Sequence, residues 1–123
     1  MSQQAYVLTA FAGTAGNGIL AAGKSVESQV FDVNLMRPLG NFAGQLLVSG
    51  AGNVDIDLYT SINGTTFVKS RNLFEAASAT DGPAADGEQL ESLGMEVCLK
   101  FKFKATEKSG TDAATVSLWI GVQ

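Results

Sequence analysis

The chain has 123 residues, of which 46% are hydrophobic and only 16% charged, and eight basic against twelve acidic side chains leave a net charge of −4. That length suits one domain with a sizeable core, and an acidic balance argues against nucleic acid as a partner, because phosphate binding is driven by Lys and Arg displacing counterions. The absence of histidine and the presence of a single cysteine, Cys98, argue against Ser-His or Cys-His catalysis and a zinc site, and leave no intrachain disulfide.

A charged fraction so far below the roughly 25% of ordinary soluble domains means that something other than charge keeps the surface in solution, or that partners cover much of it. Fourteen Gly and two Pro, among many Ala, Ser and Thr, describe a turn-rich β protein. The opening MSQQAYVLTAF has no basic region ahead of a long apolar core, and no stretch approaches the roughly 20 apolar residues of a spanning helix. The expectation is a protein made in a cytoplasm, with no membrane partner.

Tyr6 to Ala12 is apolar and reads as a strand. Gly13 to Gly23, GTAGNGILAAG, has two readings: a loop beside an edge strand, or an N-terminal arm ordered only against another subunit, with Ile19 and Leu20 as its anchor. Residues 1–23 are accordingly set apart from a sandwich domain over residues 24–123. In Ser25 to Leu35, Val26 stands early and Phe31, Val33 and Leu35 share a face, a half-buried strand ended by Arg37-Pro38-Leu39-Gly40-Asn41. Phe42 to Ser49 is more continuously apolar and reads as a central strand packed on both faces. Gly50-Ala51-Gly52-Asn53 then reverses the chain, which suggests a meander of hairpins.

The firmest pattern is VDIDLYTSINGTTFV, Val54 to Val68. Val54, Ile56, Leu58 and Ile62 alternate with Asp55, Asp57, Tyr59 and Ser61, and Asn63-Gly64 favours a tight turn into a return strand from Thr65 to Lys69. Arg71 to Ala79 fits a short helix or a strand end. From Glu75 to Glu91 five acidic residues occur with no basic one, which reads as a solvated loop; Asp81, Asp86, Glu88 and Glu91 are oxygen donors of the kind calcium uses, though their spacing matches no EF-hand. No cofactor is implied.

Glu96 to Thr106 alternates again, with Val97, Leu99, Phe101, Phe103 and Ala105 facing the core and Glu96, Cys98, Lys100, Lys102 and Lys104 facing out. The three lysines could meet phosphate or an acidic partner; alternatively they guard a strand edge or sit opposite carboxylates such as Asp55 and Asp57. Cys98 reads as a small packed side chain. After the polar turn from Glu107 to Asp112, Ala114, Val116, Leu118, Ile120 and Val122 form the apolar face of a last strand. Trp119 falls on the opposite face, under a covering loop or waiting for a partner. About seven to eight strands with turns every 8 to 12 residues or so predict an antiparallel β-sandwich, with jelly-roll connectivity as one of its forms.

The segment YTSINGTTFV, joined later to FKFKATEKSGTDAATVSLWIGVQ, resembles small proteins found among the structural genes of tailed phages and prophages, over about half of the chain. The resemblance implies a head decoration, capsid-associated or tail-associated subunit, located in the virion and assembled with itself, as a trimer or larger ring, and with other virion proteins. The same SINGTTF hairpin is similar to one in discoidin-like carbohydrate-binding jelly rolls, in which Phe67 would replace a tryptophan and Asn63 an aspartate. That alternative implies a glycan site using Trp119 or Tyr59 as a stacking platform. An enzyme is a third reading, with Asp55 and Asp57 as its only evident acid-base pair, and a flat sheet offers them no cleft.

Overall fold

The computed structural model describes residues 6–32, 41–78, 88–89, 93–94 and 98–122. Among them the chain forms eleven strand segments and no helix: β1 Tyr6–Ala12, β2 Ile19–Leu20, β3 Ser25–Glu27, β4 Phe31–Asp32, β5 Asn41–Gly50, β6 Asn53–Ser61, β7 Val68–Ser78, β8 Glu88–Gln89, β9 Leu93–Gly94, β10 Lys100–Glu107 and β11 Ala114–Val122. One sheet runs β1-β11-β5-β8, with β2 also on β11 and β9 also on β5; the second runs β3-β10-β6-β7, with β4 also on β10. Every pairing is antiparallel. The β-sandwich expected from the alternation is the fold observed.

The meander is not. Among the described strands only β6 and β7 are consecutive in sequence and paired with each other; β1 and β2, β3 and β4, and β8 and β9 each stay in one sheet on a shared partner, and every other connection crosses between the sheets, including β5 to β6, where a hairpin was expected. Val48 at the end of β5 and Val54 at the start of β6 are both buried, one in each layer, so the short connection turns a corner around the core. Glycine is required there. A Cβ on Gly52 would lie 2.7 Å from the Asp112 carbonyl oxygen and 2.7 Å from Glu107 Oε2, and Gly50 has φ +93°.

Alternation holds where strands are long. Val54, Ile56 and Leu58 are fully buried on β6, Phe101, Phe103 and Ala105 on β10, and Val116, Leu118 and Ile120 on β11. Phe31, Phe101 and Phe103 form one aromatic cluster: Phe31 stacks on Phe101 at 5.4 Å between centroids, and Phe103 meets the two rings edge-on at 6.1 and 5.9 Å. The change of parity between Val26 and Phe31 has a cause. Glu27 faces Lys104 and Phe31 faces Phe101, so the strand holds one residue more than β10 does over the same span. Ser28 bridges the irregularity: its N–H donates to the Phe103 carbonyl at 2.8 Å and its hydroxyl accepts from Phe103 N–H at 2.9 Å. What was expected as one strand is therefore β3 and β4, separated by a bulge; Val33 and Leu35 lie outside the described residues.

Several side chains differ from their expected faces. Ile62 is 78% exposed because β6 ends at Ser61 and the connection to β7 spans residues 62–67, longer than the tight turn expected. The loop is built by Asn63, whose Oδ1 accepts from the Thr65 and Thr66 N–H groups at 2.9 and 2.8 Å. Leu99 is exposed and Cys98 packs against the core instead, because β10 begins only at Lys100. Leu47, on β5, is also exposed, so β5 packs on one face rather than two. Residues 71–78 continue β7 as a strand. Val97 and Glu96 lie outside the described residues.

Candidate interaction surface

The two outer faces of the sandwich differ in charge. On the β3-β10-β6-β7 sheet the outward residues are ionic and matched. Lys102 Nζ lies 3.0 Å from Glu27 Oε1, Lys69 Nζ lies 3.5 Å from Asp57 Oδ1, and Lys104 faces Asp57 across the β10–β6 pair. Asp55 accepts from the Ala76 N–H at 2.8 Å and lies 4.0 Å from Lys108 Nζ, while Asp57 accepts from Asn72 Nδ2 at 2.8 Å. The lysine row thus lies in the interior of a sheet with carboxylates beside it; it does not guard an edge. The carboxylates considered as an acid-base pair are each engaged in cross-strand contacts.

The other sheet differs in its four principal strand segments. β1, β2, β5 and β11 contain no Asp, Glu, Lys or Arg at any position. Their outward residues form rows across the sheet: Val7, Gly121 and Ala43 in one, Thr9, Trp119 and Gln45 in the next. Trp119, partly exposed, stands at the centre. Gly121 leaves a notch beside it, since the nearest atom to an added Cβ would be the Ala43 carbonyl oxygen at 3.8 Å. Together with Val7, Ala43, Gly44 and Gln45 these residues line an open cleft of about 500 Å³. Val7 and Leu47 are exposed on the same sheet. An uncharged face with one large aromatic and small neighbours can be dehydrated at little electrostatic cost, which is the character of the buried centre of protein interfaces.

The residues singled out by the sequence are not gathered into one site. Leu20 is buried in the core, whereas Ile19, its neighbour on β2, is exposed beside β11. Tyr59 projects from the charged face, where Lys104 Nζ lies 6.0 Å from its ring centroid, on the side of the sandwich away from Trp119. Asp81, Asp86 and Glu91 lie outside the described residues, and Glu88 is described only as part of β8. Among the described residues no group of three or more His, Cys, Asp or Glu is arranged to hold a metal.

One buried group was not anticipated. Glu107, read from sequence as the start of a polar turn, is 2% exposed at the end of β10. Its carboxylate accepts from the Gly23 N–H at 3.0 Å, Asn53 N–H at 3.0 Å, Ser109 N–H at 2.9 Å, Gly110 N–H at 2.8 Å and the Ser109 hydroxyl at 2.8 Å. Burial pushes its pKa up, but the N–H groups of Ser109, Gly23 and Gly110 and the Ser109 hydroxyl outweigh that and hold it at about 2. Three connections, residues 21–24, 51–52 and 108–113, are tied at one end of the sandwich by this single group. The uncharged face is therefore mounted on a frame whose corners are pinned from within.

The strand pairs β1/β2, β3/β4 and β8/β9 each follow one track, so the eleven segments make two four-track antiparallel sheets joined by cross-sheet connections. This is the arrangement of a jelly roll. No protein-family model and no curated protein sequence matches the chain. Among solved structures it is similar to the VP2 subviral particle of infectious bursal disease virus, with a TM-score of 0.57 and 13% identity over 98% of this chain. It is similar also to a chain of the infectious bursal disease virus Gx strain, with a TM-score of 0.54 and 12% identity over 97% of this chain. The match spans 32% of each of those chains, about a third of their length. At such identities the likeness is one of fold.

Proposed function

We propose that this chain is a structural subunit of a virus particle, working through contacts with copies of itself and with other particle proteins rather than through chemistry. The observation that carries the reading is the uncharged face of β1, β11 and β5 around Trp119, on a sandwich whose opposite face is ionic. The fold supports it, being shared with a protein that forms a subviral particle. The resemblance of YTSINGTTFV and the C-terminal segment to tailed-phage structural proteins extends it to a decoration, capsid-associated or tail-associated subunit, assembled into virions in a bacterial cytoplasm. Residues 1–23, as an arm or edge strand, would contribute to the contacts.

Light scattering at several protein concentrations tests this. The expected result is a discrete oligomer, a small ring or its building block, that grows with concentration. Trp119→Lys places a charge on the uncharged face and is expected to yield a smaller species with an unchanged circular dichroism spectrum. A wild type that stays monomeric at every concentration, or a Trp119→Lys protein of unaltered mass, would contradict it.

A second reading rests on Thr9 and Gln45, which flank Trp119 across the sheet and place polar groups beside an aromatic platform. Such a constellation can hold a sugar ring. It predicts oligosaccharide binding that Trp119→Ala abolishes and Tyr59→Ala, on the opposite face, leaves intact; no binding to a glycan array removes it.

A further inference from the structure

We propose that β1 is a pairing edge: β1 of one copy lies antiparallel against β1 of a second copy and extends its sheet across a two-fold axis. The inference rests on the assembly reading and names the strand that assembly uses.

An edge strand presents unpaired N–H and C=O groups to any strand that approaches, and edges are normally blunted by shortness, charge or bulges. Among the described residues the sandwich has four edges, and three of them carry charge. The β8 edge bears Glu88. β3 and β4 carry Glu27 and Asp32. β7 is long, but it bears Lys69, Arg71 and Glu75, slips register with β6 at three points, and includes Ala76 at φ 51°. β1 differs from all of them. It has seven residues with neither charge nor proline, and it keeps regular register with β11 from Tyr6 through Thr9 before a single extra residue, Ala10. Val7, in that regular stretch, is 64% exposed.

The occupant follows from charge and symmetry. Two copies of a chain with net charge −4 repel where their charged surfaces meet, yet along β1 neither the strand nor the adjoining β11 and β5 bring any charge together. Antiparallel pairing of a strand with itself is self-complementary, so one two-fold axis closes it without a second kind of protein. The product is a doubled sheet on which the two Trp119 clefts lie on one continuous uncharged surface, left open for the next level of assembly.

Hydrogen–deuterium exchange of the full chain, at concentrations bracketing the association step seen by light scattering, reads this directly. Amides within Tyr6–Ala12 should slow about tenfold or more on association, as outward N–H groups enter a ladder, while β7 amides stay unchanged. Val7→Pro and Leu8→Pro, made separately, give a second measurement: consecutive residues point their N–H groups to opposite sides of a strand, so one of the two spares the β11 ladder and removes an outward donor. That variant should remain folded and lose the dimer. A protein that assembles with no change in exchange across Tyr6–Ala12 overturns edge pairing and leaves the assembly reading standing; a protein that never associates overturns both.

Discussion

The Glu107 carboxylate accepts a hydrogen bond from the backbone N–H of Gly23 at 3.0 Å although 84 positions separate the two in sequence. Through it the start of β3, the corner before β6 and the turn before β11 are tied to the end of β10. The contact needs an acceptor at every point, since all five groups that meet the carboxylate are donors.

Glu107→Gln keeps the shape and replaces one acceptor oxygen by an N–H pair that faces other N–H groups. Loss of charge-assisted bonds and an unsatisfied buried donor should lower stability by about 1–3 kcal/mol. Urea unfolding should show a lower midpoint with an unchanged slope, and Asp112→Asn, an exposed carboxylate change in the same loop, should shift it little.

The same group sets part of the acid response. Its folded pKa of about 2 lies below the usual 4.5, so between those values the unfolded chain binds more protons than the folded one. Its stabilisation is complete above pH 4.5 and drains away as the pH falls from 4.5 towards 2. Urea midpoints measured through that window should fall with pH in the wild type and less steeply in Glu107→Gln.

Two isoleucines of the same pattern should behave oppositely. Ile56 is fully buried on β6, whereas Ile62 is 78% exposed in the loop that follows. Ile56→Ala is expected to cost about 2–5 kcal/mol, and Ile62→Ser to stay within about 0.5 kcal/mol, by urea unfolding.

Asn63 builds the β6–β7 loop through one oxygen, which accepts from Thr65 N–H, Thr66 N–H and the Ser61 and Thr65 hydroxyls. Asn63→Asp retains that oxygen and should preserve the melting temperature. Asn63→Ala removes it, at an expected cost of about 1 kcal/mol.

How much of this was legible in sequence depends on the range of the interaction. Val54, Ile56 and Leu58, or Phe101, Phe103 and Ala105, are placed by a period of two that each strand carries within itself. Ile62 keeps that period yet lies beyond the strand end, because the asparagine turn, not hydrophobicity, decides where pairing stops. The crossing from β5 to β6 was hidden since a short Gly-rich connection serves a hairpin and a sheet-to-sheet corner alike. Glu107 was unreadable: its partners come from three distant connections. The uncharged face, in contrast, left a signal. Residues 1–23, 38–54 and 113–123 contain no charged side chain, and β1, β2, β5 and β11 fall in them. A similar run over residues 58–68 continues β6 into the exposed loop, so charge-free runs find the face only together with the strand order.

Trp119 is the sole tryptophan of the chain, so its fluorescence reports on the proposed contact surface without a label. Emission and acrylamide quenching would be followed across the concentrations over which light scattering detects assembly beyond the dimer. A blue shift and a loss of quenching that track the rise in mass are the predicted result. Emission and quenching that stay constant while the mass rises would place the contacts elsewhere and contradict the assignment of the uncharged face as the assembly surface.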